Sequence, residues 1–248
     1  MVKGEITKHF ESGVETIEFF HPAGNSFPSA LLTELIDAIS NSTAPVIIVK
    51  SRGESAFCAG ASFDELLALE DVTSAKEFFM GFARLILCIK SAPQPIFGII
   101  QGKTVGGGVG LASAFDYCGA TVDASLKLSE LNVGIGPFVI APAVSHKIGI
   151  SGLQALSYAP GDWKSAQWGY RRGLYHELFD DITSLESGIN SRALALAKCS
   201  KQAVRAFKEA SWQGTEHWPE LMEERASMSG NLVLGPEARA FLETFKKK

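Results

Sequence analysis

The sequence lacks the features that would staple, export or anchor it. Its four cysteines (Cys58, Cys88, Cys118, Cys199) form no C-x-x-C step and have no histidine at ligand spacing. That pattern argues against a zinc module or a disulfide framework, so no metal is expected and the thiols are read as reduced. No run approaches the ~20 apolar residues of a membrane span. Met1-Val-Lys-Gly-Glu-Ile has no charged-then-apolar leader pattern, and a soluble, cytoplasmic protein is expected. With a net charge of −4 there is no cationic surplus for nucleic-acid phosphates. The five histidines are unaccompanied by a G-x-S-x-G elbow, so a serine-hydrolase triad is not indicated. His146 reads as a packing or surface residue, and His176 as a loop residue. Linkers, internal repeats and low-complexity tracts are also missing.

What is present is ordinary globular material: 248 residues, 46% hydrophobic and 20% charged, enough for one large core. Glu5-Ile-Thr-Lys-His-Phe and Val14-Glu-Thr-Ile-Glu-Phe-Phe alternate as antiparallel strands across Glu11-Ser-Gly. A helix over 29–40 and a buried strand over 46–49 follow. Helices over 62–69, 73–91, 107–115 and 140–148 and strands over 95–100, 117–120 and 126–128 repeat the theme. The fold class is therefore α/β, with crossover connections. Beyond about residue 150 the pattern is almost wholly helical, ending in a predicted helix over 236–247. Its apolar residues, Trp212, Trp218 and Phe241 among them, need a surface to pack on.

Two segments carry chemistry. Val105-Gly-Gly-Gly-Val-Gly110 sits between a strand and a helix, where missing Cβ atoms let backbone N–H groups approach a ligand oxygen. Close packing alone would also demand such glycines. A Cβ at Gly107 would be expected to stand where that oxygen approaches. The second segment, Phe57-Cys-Ala-Gly-Ala61, again joins a strand to a helix and can present one more amide. Two donors converging on one oxygen form an oxyanion site. Glu130, in Leu128-Ser-Glu-Leu131, is the candidate acid/base. Its neighbours Leu128, Leu131 and Val133 predict partial burial and a raised pKa. Asp116 reads instead as a cap or loop anchor.

These residues, with Gly102, Gly134-Ile-Gly-Pro137, Gly173-Leu174, Ser200, Lys208 and the segment from Glu237 to Glu243, resemble the enoyl-CoA hydratase/isomerase (crotonase) family over most of the chain. The resemblance implies a spiral of β-β-α units over residues 1–190 and a helical trimerisation region over 191–248. It implies a homotrimer or a hexamer built as a dimer of trimers. It also implies an acyl-CoA substrate, with no cofactor beyond the coenzyme A that the substrate carries. By the same resemblance the amides of Ala61 and Gly107 would hold the thioester oxygen. Ala59, Gly60, Ser62, Phe63, Gly106, Gly108 and Phe138 would contact the substrate. The tail Lys246–Lys248 is read as solvated or as a partner for nucleotide phosphates.

The chain departs from the family pattern at Gly110, where hydratases commonly place a first glutamate, leaving Glu130 as the sole expected carboxylate. A second departure is Phe138-Val-Ile140, bulky where many relatives have glycines, which would narrow and dry the space beside Glu130. The segment from Ile140 to Gly149 is most similar to a bacterial branch associated with methylglutaconyl-CoA hydration. Three readings follow from the resemblance: a hydratase, an isomerase using Glu130 alone, and a silent acyl-CoA-binding paralogue. Hydration is preferred.

Overall fold

Alternating side chains and a Ser12-Gly13 turn pair β1 (Glu5–Glu11) with β2 (Val14–Phe20) as an antiparallel hairpin. The turn needs both residues in the left-handed region, Ser12 at φ 51 and Gly13 at φ 89. The computed structural model describes residues 4–244, so the tail Lys246–Lys248 and the end of the predicted helix over 236–247 lie outside the described residues. From the hairpin the chain runs through α1 (Ser29–Ser40), β3 (Val46–Ser51), β4 (Ala56–Cys58), α2 (Phe63–Ala68), α3 (Val72–Ser91), β5 (Ile96–Ile100) and β6 (Lys103–Val105). It continues through α4 (Gly107–Ala114), β7 (Tyr117–Thr121), β8 (Ser125–Lys127), α5 (Glu130–Val133) and α6 (Ala141–Ser157). Next come β9 (Lys164–Ser165), α7 (Ala166–Arg171), β10 (Glu177–Phe179), α8 (Ile182–Leu196), α9 (Lys201–Ser211), α10 (Trp218–Val233) and α11 (Pro236–Glu243).

Two sheets result. The larger has the order β1-β2-β3-β5-β7-β10, parallel from β2 onward. The smaller has the order β4-β6-β8-β9, with only β9 antiparallel. From β3 to β8 each turn of the chain lays one strand in the first sheet, the next in the second, and returns by one or two helices. That is the physical content of the expected spiral. The short strands β4, β6, β9 and β10 were not expected, because runs of two or three residues carry no measurable alternation. Helix α6 joins the helix expected over 140–148 to the helical region expected beyond residue 150, across a break at Gly149, at φ 73 and ψ 162.

The core is aromatic where the sheets meet α3 and α4. Phe19, Phe27, Phe57 and Phe115 are fully buried, and Phe57 meets Phe115 edge to face at 6.4 Å. Gly98 permits this, since a Cβ there would lie 2.2 Å from the Phe115 ring. The helical end is fastened to the core by Asp116. Its carboxylate accepts from the Ile96 amide (2.8 Å) and Trp212 Nε1 (2.8 Å) and pairs with Lys208 Nζ (2.8 Å). Lys208 also donates to the Ile89 and Gln94 carbonyls, which satisfies a buried ammonium. The boundary placed at residue 190 falls inside α8, whose Leu185, Ile189 and Ala193 pack on the large sheet. No helix among the described residues is long and apolar enough to cross a membrane.

Candidate active site

The loop after β4 is built to leave one amide unused. Ala59 N donates to Gly24 O (3.0 Å), Phe27 N to Gly60 O (2.8 Å) and Ser62 N to Phe27 O (3.2 Å). Those bonds pin residues 59–62 on both sides, and Gly60 turns the chain at φ 92. The Ala61 amide between them has no hydrogen-bond partner among the described residues. At the neighbouring junction, Gly106 N donates to Lys127 O (3.0 Å) while Val109 and Gly110 turn back to Gly106 O, opening α4. The Gly107 amide at the first position of that helix is likewise without a partner. The two junctions touch: a Cβ on Gly60 would lie 3.0 Å from Val105 O and 3.6 Å from Gly107 N.

Both junctions line one cleft of about 640 Å³ of non-atom space, part of it open to solvent. Of the residues expected to form the site, Ala59, Gly60, Ala61, Phe63, Gly106, Gly107, Glu130 and Phe138 line it. Ser62 and Gly108 do not. Ser62 caps α2 instead, its hydroxyl accepting from Glu65 N. Gly108 is a packing glycine, for a Cβ there would come within 2.7 Å of the Cys58 Cβ. A bare Gly107 is also required by packing, since a Cβ there would lie 2.2 Å from Cε1 of Phe82 in the cleft wall.

Glu130 opens the short α5, and its carboxyl lies against α4, with Oε1 2.9 Å from where a Gly106 Cβ would stand. Gly106, at φ 54, is therefore required both for the turn and for this approach. Oε2 is sealed from solvent and has no hydrogen-bond partner among the described residues. Burial pushes the Glu130 pKa up to about 7, and the amides of Glu130 and Ser129 offset only part of that shift. Leu128 and Val133 supply the expected apolar surroundings, whereas Leu131 points to solvent at 42% exposure. A carboxylic acid that ionises near neutrality can both accept and return a proton.

The wall opposite is closed. A Cβ on Gly110 would fall 2.5 Å from Ile140 Cγ2 and 2.7 Å from Ile140 Cβ, so Ile140 occupies the space a longer residue at 110 would need. Phe138, Val139 and Ile140 all line the cleft, which is the apolar narrowing expected there. Sequence reasoning did not find Leu66, Phe79, Phe82, Ile135 or Ser229. The phenylalanines of α3 lie at helical spacing and read as generic core. Ser229 arrives from α10 and has no local signal.

The histidines stay outside. His146 stacks on Trp212 with ring centroids 4.9 Å apart. His176 Nδ1 accepts from the Cys118 amide, and burial lowers its pKa to about 4, so the ring is neutral. Among the described residues no group of three or more His, Cys, Asp or Glu side chains could hold a metal.

Comparison with known proteins places this geometry among relatives. Residues 9–238 match the family model described as enoyl-CoA hydratase/isomerase. The chain is 28% identical over 240 residues to a "Probable enoyl-CoA hydratase" of Bacillus subtilis (strain 168), covering 95% of this chain and 88% of the relative. It is 21% identical over 258 residues to the trans-2-decenoyl-(acyl-carrier-protein) isomerase of Streptococcus mutans, covering 98% and 95%. The crystal structure of an enoyl-CoA hydratase from Bacillus halodurans superimposes with a TM-score of 0.88 at 20% identity, covering 96% of this chain and 99% of that one. This last likeness speaks to the fold.

Proposed function

Because the chain belongs to the enoyl-CoA hydratase/isomerase family, we propose that it binds an acyl-CoA thioester in this cleft and adds water to a 2-enoyl group. The observation that carries the reading is the buried, unpartnered Glu130 Oε2, lining the same cleft as the free amides of Ala61 and Gly107. The thioester oxygen accepts from both amides. Ionised Glu130 takes a proton from a water as its oxygen bonds to Cβ, and the double-bond electrons move to the thioester oxygen as an enolate. The two amides stabilise that charge in an apolar enclosure, where such donors are worth most. Glu130 then returns the proton to Cα, so one carboxylate serves both steps. A branched, methylglutaconyl-type acyl group is the substrate form proposed, on the likeness of the segment from Ile140 to Gly149 to that branch.

One observation favours a second reading. Gly110 has no side chain and Ile140 fills the space beside it, so Glu130 is the only acid/base side chain lining the cleft among the described residues. An isomerase needs no more. Glu130 would take the α-proton of a 3-enoyl thioester, the same amides would hold the dienolate, and the proton would return at Cγ. Incubation with 2-enoyl- and 3-enoyl-CoA in H₂¹⁸O separates the two. The hydratase yields a 3-hydroxyacyl product carrying ¹⁸O, whereas movement of the 3-enoyl bond without label would overturn hydration.

Assembly as a homotrimer or a dimer of trimers is proposed alongside. It is supported by α9, where Phe207 is 76% exposed on a helix whose only buried residue is Lys208. A monomer in sedimentation equilibrium would refute it.

A further inference from the structure

A cavity of about 770 Å³ of non-atom space, partly open to solvent, lies where β3 and β5 begin, against the junction of α8 with α9. It shares no lining residue with the cleft.

Gln94 lines this cavity and is 8% exposed. Its Nε2 donates to Ser42 O (2.9 Å), which fixes the orientation of the amide. Oε1 is then the atom left buried with no hydrogen-bond partner among the described residues. The chain on either side cannot supply a donor, because Pro93 and Pro95, which also line the cavity, have no N–H. A buried amide oxygen in that state is disfavoured unless something entering the cavity donates to it.

The rest of the lining adds charge and a nucleophile. Lys201 and Arg205 are four apart on α9 and so share a face. Among the described residues no carboxylate forms a salt bridge with Lys201. Arg205 pairs with Glu209 at 2.8 Å, but both side chains are 63% exposed and such a pair is weak. Cys199, two residues before Lys201, brings an exposed thiol to the same cavity. The other thiols are withdrawn: burial pushes Cys58 and Cys118 up to about 12 and also raises the half-buried Cys88. Since the thiolate is the reactive form, Cys199 is the thiol open to exchange.

We infer that this cavity is a thiol-exchange site, at which Cys199 reacts with a small carboxylate-bearing peptide disulfide of the glutathione class. The Cys199 thiolate attacks one sulfur of that disulfide. The peptide S–S bond breaks, a new S–S bond joins Cys199 to one half, and the other half leaves as a thiolate that takes up the proton Cys199 lost. One disulfide replaces another, so the incoming disulfide is the only oxidant required. Carboxylates of the retained half pair with Lys201 and Arg205, and one of its peptide N–H groups donates to Gln94 Oε1. A second thiol reverses the step in the same way. The site uses no residue of the cleft and stands independently of the acyl-CoA reading.

The test treats the whole reduced protein with oxidised glutathione or with cystamine, a disulfide that carries amines in place of carboxylates. Mass spectrometry of the intact chain follows the adduct, and peptide mapping locates it. A single adduct at Cys199 is expected. Oxidised glutathione should react there roughly tenfold faster relative to cystamine than it does with the same cysteine in the urea-unfolded chain, the order of effect that local charge gives. Lys201→Gln and Arg205→Gln change exposed side chains, so each should leave the melting curve in place and reduce that preference. Gln94→Leu removes the acceptor, and its adduct should be released at a lower concentration of reduced glutathione. Reaction of Cys88 ahead of Cys199 would overturn the inference. So would equal relative rates for the two disulfides, or a preference that survives both charge substitutions. An adduct as stable in folded Gln94→Leu as in the unaltered chain would overturn it too, and should that variant fail to fold, the two charge variants decide.

Discussion

Two carboxylates sit at the two ends of α4 and are used in opposite ways. Past its C-terminal end, both oxygens of Asp116 are engaged, by an amide, an indole N–H and the buried ammonium of Lys208. Beside its N-terminal end, Glu130 has an oxygen with no partner and a pKa raised to about 7. A helix N-terminus favours a negative charge, yet here desolvation outweighs it. The contrast teaches how to separate the roles. A carboxylate whose oxygens are satisfied is holding the fold together, whereas one left wanting in a cleft is a candidate for proton transfer.

The largest expected effect breaks the structural end. Asp116→Ala would strand Lys208, which is 4% exposed, and removing one partner of such a pair costs about 3–5 kcal/mol. Denaturant unfolding measures it, and a loss below about 1 kcal/mol would mean that Asp116 is not the fastener described here.

At the other end the sign reverses. Glu130 ionises near 4.5 when unfolded and near 7 when folded, so the stability contributed by its neutral form is complete below pH 4.5. It is lost as pH rises through about 7, on the order of 3 kcal/mol in all. Glu130→Gln cannot ionise and should become progressively more stable than the unaltered protein between pH 5 and pH 8. A constant difference across that range would place the Glu130 carboxyl in water.

The same Glu130→Gln change should lower turnover roughly 10²-fold or more, because an amide keeps the shape but moves no proton. In the unaltered protein kcat/KM should rise with pH through about 7 as the carboxyl ionises. Near-normal turnover by the variant would return Glu130 to structure.

The smallest effect probes the closed wall between the two ends. Gly110→Glu alone should cost about 1–3 kcal/mol, since its side chain must displace Ile140. Paired with Ile140→Ala, it should be more stable than the sum of the single changes predicts, because cavity and added bulk cancel. Additive costs would show that the two residues do not share one space. If the relieved double variant gains hydration while the original chain only moves double bonds, the isomerase reading stands.

Much of this contrast was legible before any coordinates. The glycine run, the loop over residues 57–61 and Glu130 each combine distinctive residue types with a local break in periodicity, and all three converge on one cleft. Asp116 was read as an anchor for similar reasons. Ser62 and Gly108 were misplaced because neighbours in a motif need not share a face: one turns to cap α2, the other packs on Cys58. Leu131 failed through the same cause, pointing away from the carboxyl it adjoins in sequence.

By itself the sequence determined the α/β class, the two strand-to-helix junctions and the choice of Glu130 as the candidate acid/base, since these depend on periodicity and on residues close in the chain. Tertiary structure alone decided that Ile140 fills the place beside Gly110, that Phe82 packs where a Gly107 Cβ would stand, and that Ser229 reaches the cleft at all. Each depends on a contact between elements distant along the chain. Ser229 depends on Gly230 bringing α10 against α3, and no local spacing encodes that approach because the energy that selects it comes from the packed whole.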